Sequence, residues 1–244
     1  MKKIDSFAPK STNGLRDALQ YEFKHHVKNG IYSYTQKKLA YSSNRIEGST
    51  LSADQTALLF DTGTIYGDEV FRAKDVEEAN GHFLMFNRML ATLDQPLTQE
   101  LVKRFHWELK SGVFEDKANG YLIGEYKSRA NIAGSEITVA PADVPAAMQE
   151  LVQKPVQTFD DILHFHSEFE HIHPFQDGNG RVGRIIMYRQ CLQNDMIPIV
   201  VDDNKRTEYI VAIKASHQGK SKLLADLFRQ FQAQYEKEIA PFLV

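Results

Sequence analysis

The sequence predicts a mainly helical protein that contains one small β-hairpin. Apolar residues recur at spacings of three and four over most of the 244 residues, as in Phe83, Phe86 and Met89, which is the period of an amphipathic helix. One segment, 130–140, instead has short β-favouring stretches around a Gly-Ser turn. Hydrophobic residues make up 42% of the chain and charged residues 25%, as in a folded globular protein.

The apolar periodicity predicts ten helices, and no repeat or low-complexity linker separates them. In order along the chain they span 12–28, 33–46, 52–61, 73–93, 98–111, 142–153, 157–172, 179–194, 204–217 and 221–238. The hairpin falls between the fifth and the sixth helix. It is therefore expected as a small insertion in a helical protein.

Bulk properties exclude two classes of partner. The formal net charge is −3, from 29 basic and 32 acidic residues mixed along the chain, so general binding to nucleic acid is not expected. The N-terminus, MKKIDSFAPK, has no apolar run of the signal-peptide type, and no apolar stretch has spanning length. We expect a cytoplasmic protein with no membrane partner. The single cysteine, Cys191, is expected to pack in the core.

The stretch from His173 to Arg184, HPFQDGNGRVGR, reads as a loop that enters a helix. Pro174 biases the histidine away from helical geometry, whereas Gly178, Asn179 and Gly180 adopt turn conformations and bring bare amide groups close to a ligand. The next helix then starts with free N–H donors at the positive end of its dipole. This combination predicts a phosphate site.

Charged side chains in the same stretch extend that prediction to a metal–nucleotide complex. Arg181 and Arg184 lie one turn apart and can hold several phosphate oxygens. Asp177 would repel phosphate unless Mg²⁺ bridged the two, an arrangement that Mg²⁺ favours. His173 supplies an imidazole that can remove a proton from an attacking hydroxyl. The predicted reaction is transfer of a phosphorus-containing group.

Two alternatives compete with the interpretation of this loop as a site for phosphoryl-group transfer. In the first, the histidine only caps a helix and the arginines pair with surface acids. The concentration of these residue types in one short stretch argues against it. No P-loop pattern and no kinase signature is present.

In the second, His164, His166 and His171 belong to a metal hydrolase. HExxH is absent, and the first two of these histidines lie about 200° apart on one helix. Helix-face histidines, or partners for Glu168 and Glu170, are the simpler explanation.

The string His173 to Arg184 matches in full the motif H-x-F-x-D/E-G-N-G-R-x-x-R, and by it the chain resembles the Fic family of protein adenylyltransferases. The helices on either side of the loop and the upstream hairpin with its Val-Ala-Pro exit are similar to the Fic core. The resemblance implies a mainly α, Fic-type helical bundle in one compact unit. It places an N-terminal helical region at 1–74, the core at 75–218 and a C-terminal helix at 219–244.

The resemblance also implies a role for each residue of the loop. His173 deprotonates a Ser, Thr or Tyr hydroxyl of a target protein, and Asp177 holds Mg²⁺. The 178–180 turn binds the α- and β-phosphates of ATP, and Arg181 neutralises the β-phosphate. Arg184 holds the γ-phosphate, so that the α-phosphorus faces the hydroxyl and pyrophosphate leaves in line.

Two details of the motif bear on the group transferred and on the loop's anchoring. The family's Doc branch, which phosphorylates its target, replaces the second half of the glycine motif and lacks the last arginine. Gly180 and Arg184 therefore imply AMP transfer. Phe175 is expected to anchor the loop in the core.

Outside the loop, the resemblance implies a flap that captures the target as an added strand. Tyr209 is placed near a possible adenine pocket. The flap residues are Ile132, Ala133, Gly134, Ile137, Thr138 and Val139.

An upstream segment resembles the inhibitory motif of the same family, S/T-x-x-x-E-G/N. It runs from Ser43 to Gly48 at the end of a predicted inhibitory helix, about 33–48, ahead of the core, as in the Fic class whose inhibitory helix is N-terminal. Glu47 reaching into the nucleotide site would pair with Arg184 and exclude the γ-phosphate. Ser43 would hold the helix in place. In some members the same glutamate also positions water to remove AMP, and the sequence does not decide this.

Two other functions stay open at this point. The chain could transfer another phosphate-containing group, such as phosphocholine or a different nucleotide, because the anion turn recognises phosphates rather than bases. It could also be a non-catalytic module whose helical core holds a protein partner. Either is compatible with a homo-oligomer.

Overall fold

The computed structural model describes residues 12–67, 70–133 and 136–243. Within these ranges the chain forms eleven α-helices, one pair of short strands and two 3₁₀ turns, at Asp203–Lys205 and Ala240–Phe242. The helices are α1 (Thr12–His25), α2 (Ile31–Ile46), α3 (Ala53–Thr62), α4 (Ala73–Ala91), α5 (Gln99–Lys110), α6 (Phe114–Ala118), α7 (Val144–Gln153), α8 (Phe159–Ile172), α9 (Asn179–Gln193), α10 (Arg206–His217) and α11 (Lys222–Ile239). The strands are β1 (Ile132–Ala133) and β2 (Glu136–Ile137).

The mainly helical prediction is confirmed, and the differences from it are shifted helix ends and one short helix that was not predicted. α1 stops at His25, earlier than predicted, because His26 takes a left-handed φ of 52°. The predicted helix 204–217 begins with the 3₁₀ turn before α10 starts. α6 was not predicted, since five residues are too few to show a period.

Side-chain caps explain where three helices begin. Ser52 forms a capping box with Gln55 at the start of α3, and Thr158 forms one with Asp161 at the start of α8. Thr98 accepts a hydrogen bond from the Leu101 amide at the start of α5. Each cap satisfies amides that the helix itself leaves unpaired, a contribution of about 1 kcal/mol.

Helix α9 lies at the centre of the molecule. All of its residues except Gly180 and Gln193 are buried, including Cys191, and it packs against α8, α4, α5 and α2. The main core around it contains Phe86, Phe169 and Tyr188. A helix with buried residues on every face needs neighbours on all sides. Its N-terminus is therefore surrounded by other elements.

Helix α2 lies between the N-terminal elements and this centre. It contacts α1, α3 and α4 on one side and α9 on the other. The residues near its C-terminal end include buried Ser43, Asn44 and Ile46. The packing of α2 therefore brings the motif Ser43 to Gly48 to the start of α9.

The segment predicted as a flap contains the β1–β2 pair. Ile132 lies opposite Ile137 in an antiparallel register, and both side chains are largely exposed. Gly134 lies outside the described residues. A ladder of two residues per strand does not establish a target-docking flap, which stays a prediction. No helix within the described ranges combines the length and the apolar character needed to cross a membrane.

The close packing of α4 on α5 predicts a stability difference between two glycines. A methyl group at Gly81 would overlap the carbonyl oxygen of Leu109. Gly81→Ala is therefore expected to lower the free energy of unfolding by about 1–3 kcal/mol, even though alanine favours helices. Gly112→Ala is the control, because no atom lies within 4 Å of its added carbon. Urea unfolding measures both, and an unchanged or higher stability of Gly81→Ala would contradict the packing.

Candidate active site

The loop between α8 and α9 is bounded by two residues in the left-handed region. His173 ends α8 with φ 50° and ψ 61°, and its amide donates to the Phe169 carbonyl at 2.9 Å. Gly178 precedes α9 with φ 84°. A left-handed conformation is uncommon for a residue with a side chain and is found at functional sites. The two turns fold the chain tightly around the imidazole.

Phe175 anchors this loop in the core, as expected. Its ring is fully buried and stacks on His106, with ring centroids 4.0 Å apart. Its amide donates to Asn179 Oδ1 at 2.7 Å, and Asn179 Nδ2 donates to its carbonyl at 2.8 Å. The asparagine side chain is therefore engaged within the loop. Any phosphate binding by Asn179 would fall to its backbone amide.

His106 holds the same loop from α5. Its Nδ1 accepts from the Gly124 amide at 2.9 Å, so its Nε2 carries the proton and donates to the Asp177 carbonyl at 3.1 Å. Burial, with the nearby Lys110 ammonium, lowers the pKa of His106 to about 3. The imidazole is neutral at physiological pH, and both its nitrogens have partners.

Arg184 joins α9 to the end of α2. Its Nε donates to Ser43 Oγ at 2.9 Å and its Nη2 donates to the Ser43 carbonyl at 3.0 Å. The same Nη2 forms an ion pair with Glu47 Oε1 at 2.7 Å. The structure thus brings together Ser43, Glu47 and Arg184, which the sequence analysis linked across more than 130 residues.

The Glu47 carboxylate lies over the first turn of α9. A carbon atom added at Gly180 would collide with Glu47 Oε1, so only glycine allows this approach. Burial disfavours the charged carboxylate, but Arg184 and then Arg181 outweigh it and lower the pKa of Glu47. Glu47 is consequently an anion at a helix N-terminus, where a phosphate would also be favoured.

Arg181 has a different set of partners. Its Nη1 pairs with Glu78 Oε2 at 2.6 Å and donates to Asn44 Oδ1 at 3.2 Å. Its Nη2 lies 3.6 Å from Asp177 Oδ2. The residue is 1% exposed, and burial of the cation is offset by Glu78 and Asp177, so its pKa is raised. The positive charge of Arg181 is thus neutralised by Glu78 on α4 as well as by Asp177 in the loop.

A group of three carboxylates lies next to this arginine. Glu78, Asp116 and Asp177 have oxygens within 4.8 Å of one another, the one such group among the residues that the structure describes. Lys110 Nζ lies among them, 2.5 Å from Glu78 and from Asp116 and 2.7 Å from Asp177. The buried part of the group therefore already has a cation.

Asp177 is the member of the group that fits a metal ion. Its side chain is 36% exposed, whereas those of Glu78 and Asp116 are buried. Oδ1 accepts from the Gly178 amide and Oδ2 from Lys110, which leaves two of about four lone-pair positions. Burial opposes the negative charge, but Arg181 and Lys110 lower the pKa of Asp177. An ionised carboxylate of this kind fits Mg²⁺ that is otherwise held by phosphates and water.

His173 is half-buried beside this group. Its Nδ1 lies 3.3 Å from the Glu170 carbonyl, so Nδ1 is the protonated nitrogen and Nε2 is free to accept a proton. Burial lowers its pKa most, and the Lys127 ammonium adds to the effect. The imidazole is therefore in its basic form at neutral pH.

Tyr209 is not in an open pocket. It lies on α10, is 4% exposed and packs against the rings of His166 and Phe228. Its hydroxyl lies 2.6 Å from His166 Nε2. It also forms a hydrogen bond with Arg184. Tyr209 is therefore buried beside the start of α9, and its contact with an adenine stays a prediction.

The histidines of α8 do not converge on a metal ion in the part of the chain that the structure describes. His164 Nδ1 contacts the Asp160 carbonyl, and His171 packs edge-on against His217. They are helix-face and core residues, which agrees with the simpler interpretation of the sequence.

Sequence reasoning did not single out Asn44, Glu78 or Lys110. For Glu78 and Lys110 the sequence did contain a signal. Each is a charged residue that lies next to core residues of an amphipathic helix, as Lys110 does beside Leu109. Buried charges are rare without partners. For Asn44 the only signal was its position within the inhibitory motif.

Comparison with known families agrees with this geometry. Residues 96–191, which include the loop and most of α9, match the model of the Fic/DOC family. The similarity to the Fic/DOC family therefore covers α8, the loop of His173 and most of α9. The Fic/DOC match begins at α5 and therefore includes Lys110 and the hairpin segment.

Curated relatives carry the name protein adenylyltransferase Fic. The protein from Drosophila sechellia is 26% identical over 235 residues, which cover 90% of this chain and 45% of that protein. The one from Drosophila mojavensis is 27% identical over 191 residues, 73% of this chain and 36% of that protein. The chain thus spans less than half the length of these Fic relatives.

Solved structures share the Fic fold. A Fic domain-containing signaling protein from Bacteroides thetaiotaomicron superposes with a TM-score of 0.68 at 21% identity, covering 93% of this chain and 98% of that one. Fic-1 from C. elegans superposes with a TM-score of 0.69 at 17% identity, covering 94% and 71%. At these identities the likeness concerns the fold.

The buried cluster around Arg181 and Lys110 predicts a large stability cost at Glu78. Glu78→Gln leaves Arg181 and Lys110 short of a counter-charge inside the protein, which is expected to cost about 3 kcal/mol of unfolding free energy. Glu108→Gln is the matched control, because both arginine partners of Glu108 are more than a third exposed, and about 1 kcal/mol or less is expected. Urea unfolding measures both variants. Equal losses of unfolding free energy would show that Glu78 contributes no more to stability than Glu108 does.

Proposed function

We propose that this chain transfers AMP from ATP to a Ser, Thr or Tyr hydroxyl of a target protein, with release of pyrophosphate. The observation that carries the proposal is the arrangement at the start of α9. Two buried arginines, a carboxylate fit for a metal ion and a basic imidazole meet at the N-terminus of this helix. Such a site binds a polyphosphate and removes a proton beside it.

His173 is the proposed general base. Its Nε2 accepts the proton of the target hydroxyl while the oxygen attacks the α-phosphorus of ATP. The bond from the α-phosphorus to the bridging oxygen of the β-phosphate breaks, and pyrophosphate leaves with the electron pair. The Glu170 carbonyl fixes the tautomer in which Nε2 has no proton. A low pKa keeps that nitrogen free at neutral pH.

The charges of α9 are proposed to orient the phosphates. The 178–180 turn receives the α- and β-phosphates, through the amides of Asn179 and Gly180 because that of Gly178 donates to Asp177 Oδ1. Arg181 neutralises the β-phosphate and Arg184 takes the γ-phosphate. Mg²⁺ bound through Asp177 supplies neutralisation of phosphate charge. Because these groups are held before ATP arrives, little reorganisation is needed during the reaction.

Glu47 is proposed as the brake on this reaction. Its carboxylate occupies Arg184 and lies against Gly180, where an incoming phosphate would need both the guanidinium and the space. Two anions cannot share this position without repulsion. ATP would then bind with its γ-phosphate displaced and its α-phosphorus out of line with the hydroxyl.

The choice of AMP over another phosphate-containing group is supported by the names of the curated relatives. Gly180 and Arg184 complete the motif in the form that the sequence analysis associated with AMP transfer. The target is proposed to dock along the hairpin, where Ile132 and Ile137 are exposed. Removal of AMP through Glu47 and a homo-oligomeric state stay predictions.

We expect Glu47→Gly to raise AMP transfer by at least roughly tenfold, equivalent to about 1.4 kcal/mol in the barrier. The substitution frees Arg184 for the γ-phosphate and removes a competing negative charge. The measurement is protein-attached label from α-³²P-ATP with Mg²⁺ and a cell lysate as the source of targets. Ser43→Ala is expected to activate less, because the Ser43 carbonyl and Glu47 still hold Arg184.

Two controls separate the brake from the chemistry. Glu47→Gly combined with His173→Ala should lose the label, since no base remains. Equal labelling by wild type and Glu47→Gly would remove the brake from the account. No label in any sample, with ATP still bound, would point to another donor or to a non-catalytic binding module.

A further inference from the structure

A buried lysine lies directly behind the loop of His173. Lys127 is 3% exposed, and its Nζ donates to Asn131 Oδ1 at 2.8 Å, to Thr138 Oγ1 at 2.6 Å and to the Ile172 carbonyl at 3.3 Å. All three acceptors are neutral, which is unusual for a buried ammonium. Burial lowers the pKa of Lys127 to about 8, so the group still carries its charge at neutral pH.

Lys127 and Asn131 together hold the backbone on both sides of His173. The Ile172 carbonyl, one residue before the histidine, accepts from Lys127 Nζ. The Pro174 carbonyl, one residue after it, accepts from the Lys127 amide at 2.8 Å. The Phe175 carbonyl accepts from Asn131 Nδ2 at 2.9 Å. These bonds fix the peptide groups that set the position of the imidazole.

The same lysine contributes to the charge environment of the imidazole. Burial and Lys127 disfavour a proton on His173, whereas the Glu170 carbonyl, Glu47 from α2 and Asp177 from the loop favour one. The two carboxylates would make the histidine a weaker candidate for a neutral base if nothing opposed them. The ammonium is the positive charge that opposes them from behind the loop.

We propose that Lys127 is a positioning residue for His173, which fixes the peptides on either side of the histidine and places a positive charge behind its imidazole. The inference rests on the proposed role of His173 as the base. Thr138 and Asn131 complete the arrangement by tying the hairpin segment to the same ammonium. Lys127 therefore couples the proposed target-docking segment to the reacting group.

Two variants separate the charge of Lys127 from its hydrogen bonds. Lys127→Gln keeps a polar donor but removes the charge, whereas Thr138→Val removes one acceptor and leaves the charge in place. The readout is the titration of His173 by NMR, with its signal assigned by comparison with His173→Ala. Lys127→Gln should raise the pH at which His173 titrates by roughly half a unit or more, and Thr138→Val should leave it in place.

Rates in the Glu47→Gly background give a second readout. The acid limb of AMP transfer should move to higher pH by a similar amount in Lys127→Gln, and Lys127→Arg should restore the original profile. An unchanged titration in Lys127→Gln, or an equal shift in Thr138→Val, would overturn the proposal and leave Lys127 a purely structural residue. A shifted titration without any AMP transfer would support the positioning role and count against the proposed activity instead.

Discussion

The rest of the site depends on how two buried guanidinium groups at the start of α9 are neutralised. A guanidinium cannot lose its proton in a protein, and a buried one without a counter-charge is strongly destabilising. Arg181 is neutralised from the core by Glu78, which Lys110 holds in turn. Arg184 takes its carboxylate from the end of α2, where the Glu47 side chain is 34% exposed. The first pair is part of the fold, and the second is the one that we propose a phosphate replaces.

This difference in exposure gives the proposed brake a simple physical basis. A phosphate that replaces Glu47 preserves the charge balance around Arg184, so the exchange does not leave the arginine unpaired. Ser43 continues to direct the guanidinium through two hydrogen bonds. Under that proposal, release of Arg184 requires only that the partly exposed Glu47 side chain moves away. Gly180 contributes to the same contact, because a side chain at position 180 would overlap the Glu47 carboxylate in its observed position.

The sequence predicted the helical architecture and the loop motif because both depend on local signals. Apolar spacing gave ten of the helices, and the string from His173 to Arg184 is specific enough to identify the turn and its charges. The contact of Glu47 with Arg184 was predicted from a family motif rather than from physical reasoning alone. Contacts between segments that are far apart in the chain leave no pattern in the local sequence.

The same limitation explains what was missed. Lys110 and Glu78 meet only because α4 packs on α5, and Lys127 meets the His173 loop only because the chain before the hairpin lies against that loop. Tyr209 was predicted near an adenine pocket, and that role stays a prediction. The packing of α10 on α8 and α11 buries its ring beside Arg184. Tertiary packing, and not residue type, decides whether a tyrosine lines a cavity or fills a core.

The most direct test of the account is the position of the γ-phosphate in crystal structures of wild type and Glu47→Gly, each with Mg²⁺ and a non-hydrolysable ATP analogue. The account predicts that the γ-phosphate contacts Arg184 only in the variant, with the α-phosphorus facing His173 Nε2. A γ-phosphate on Arg184 in both proteins, with Glu47 unmoved in wild type, would contradict it.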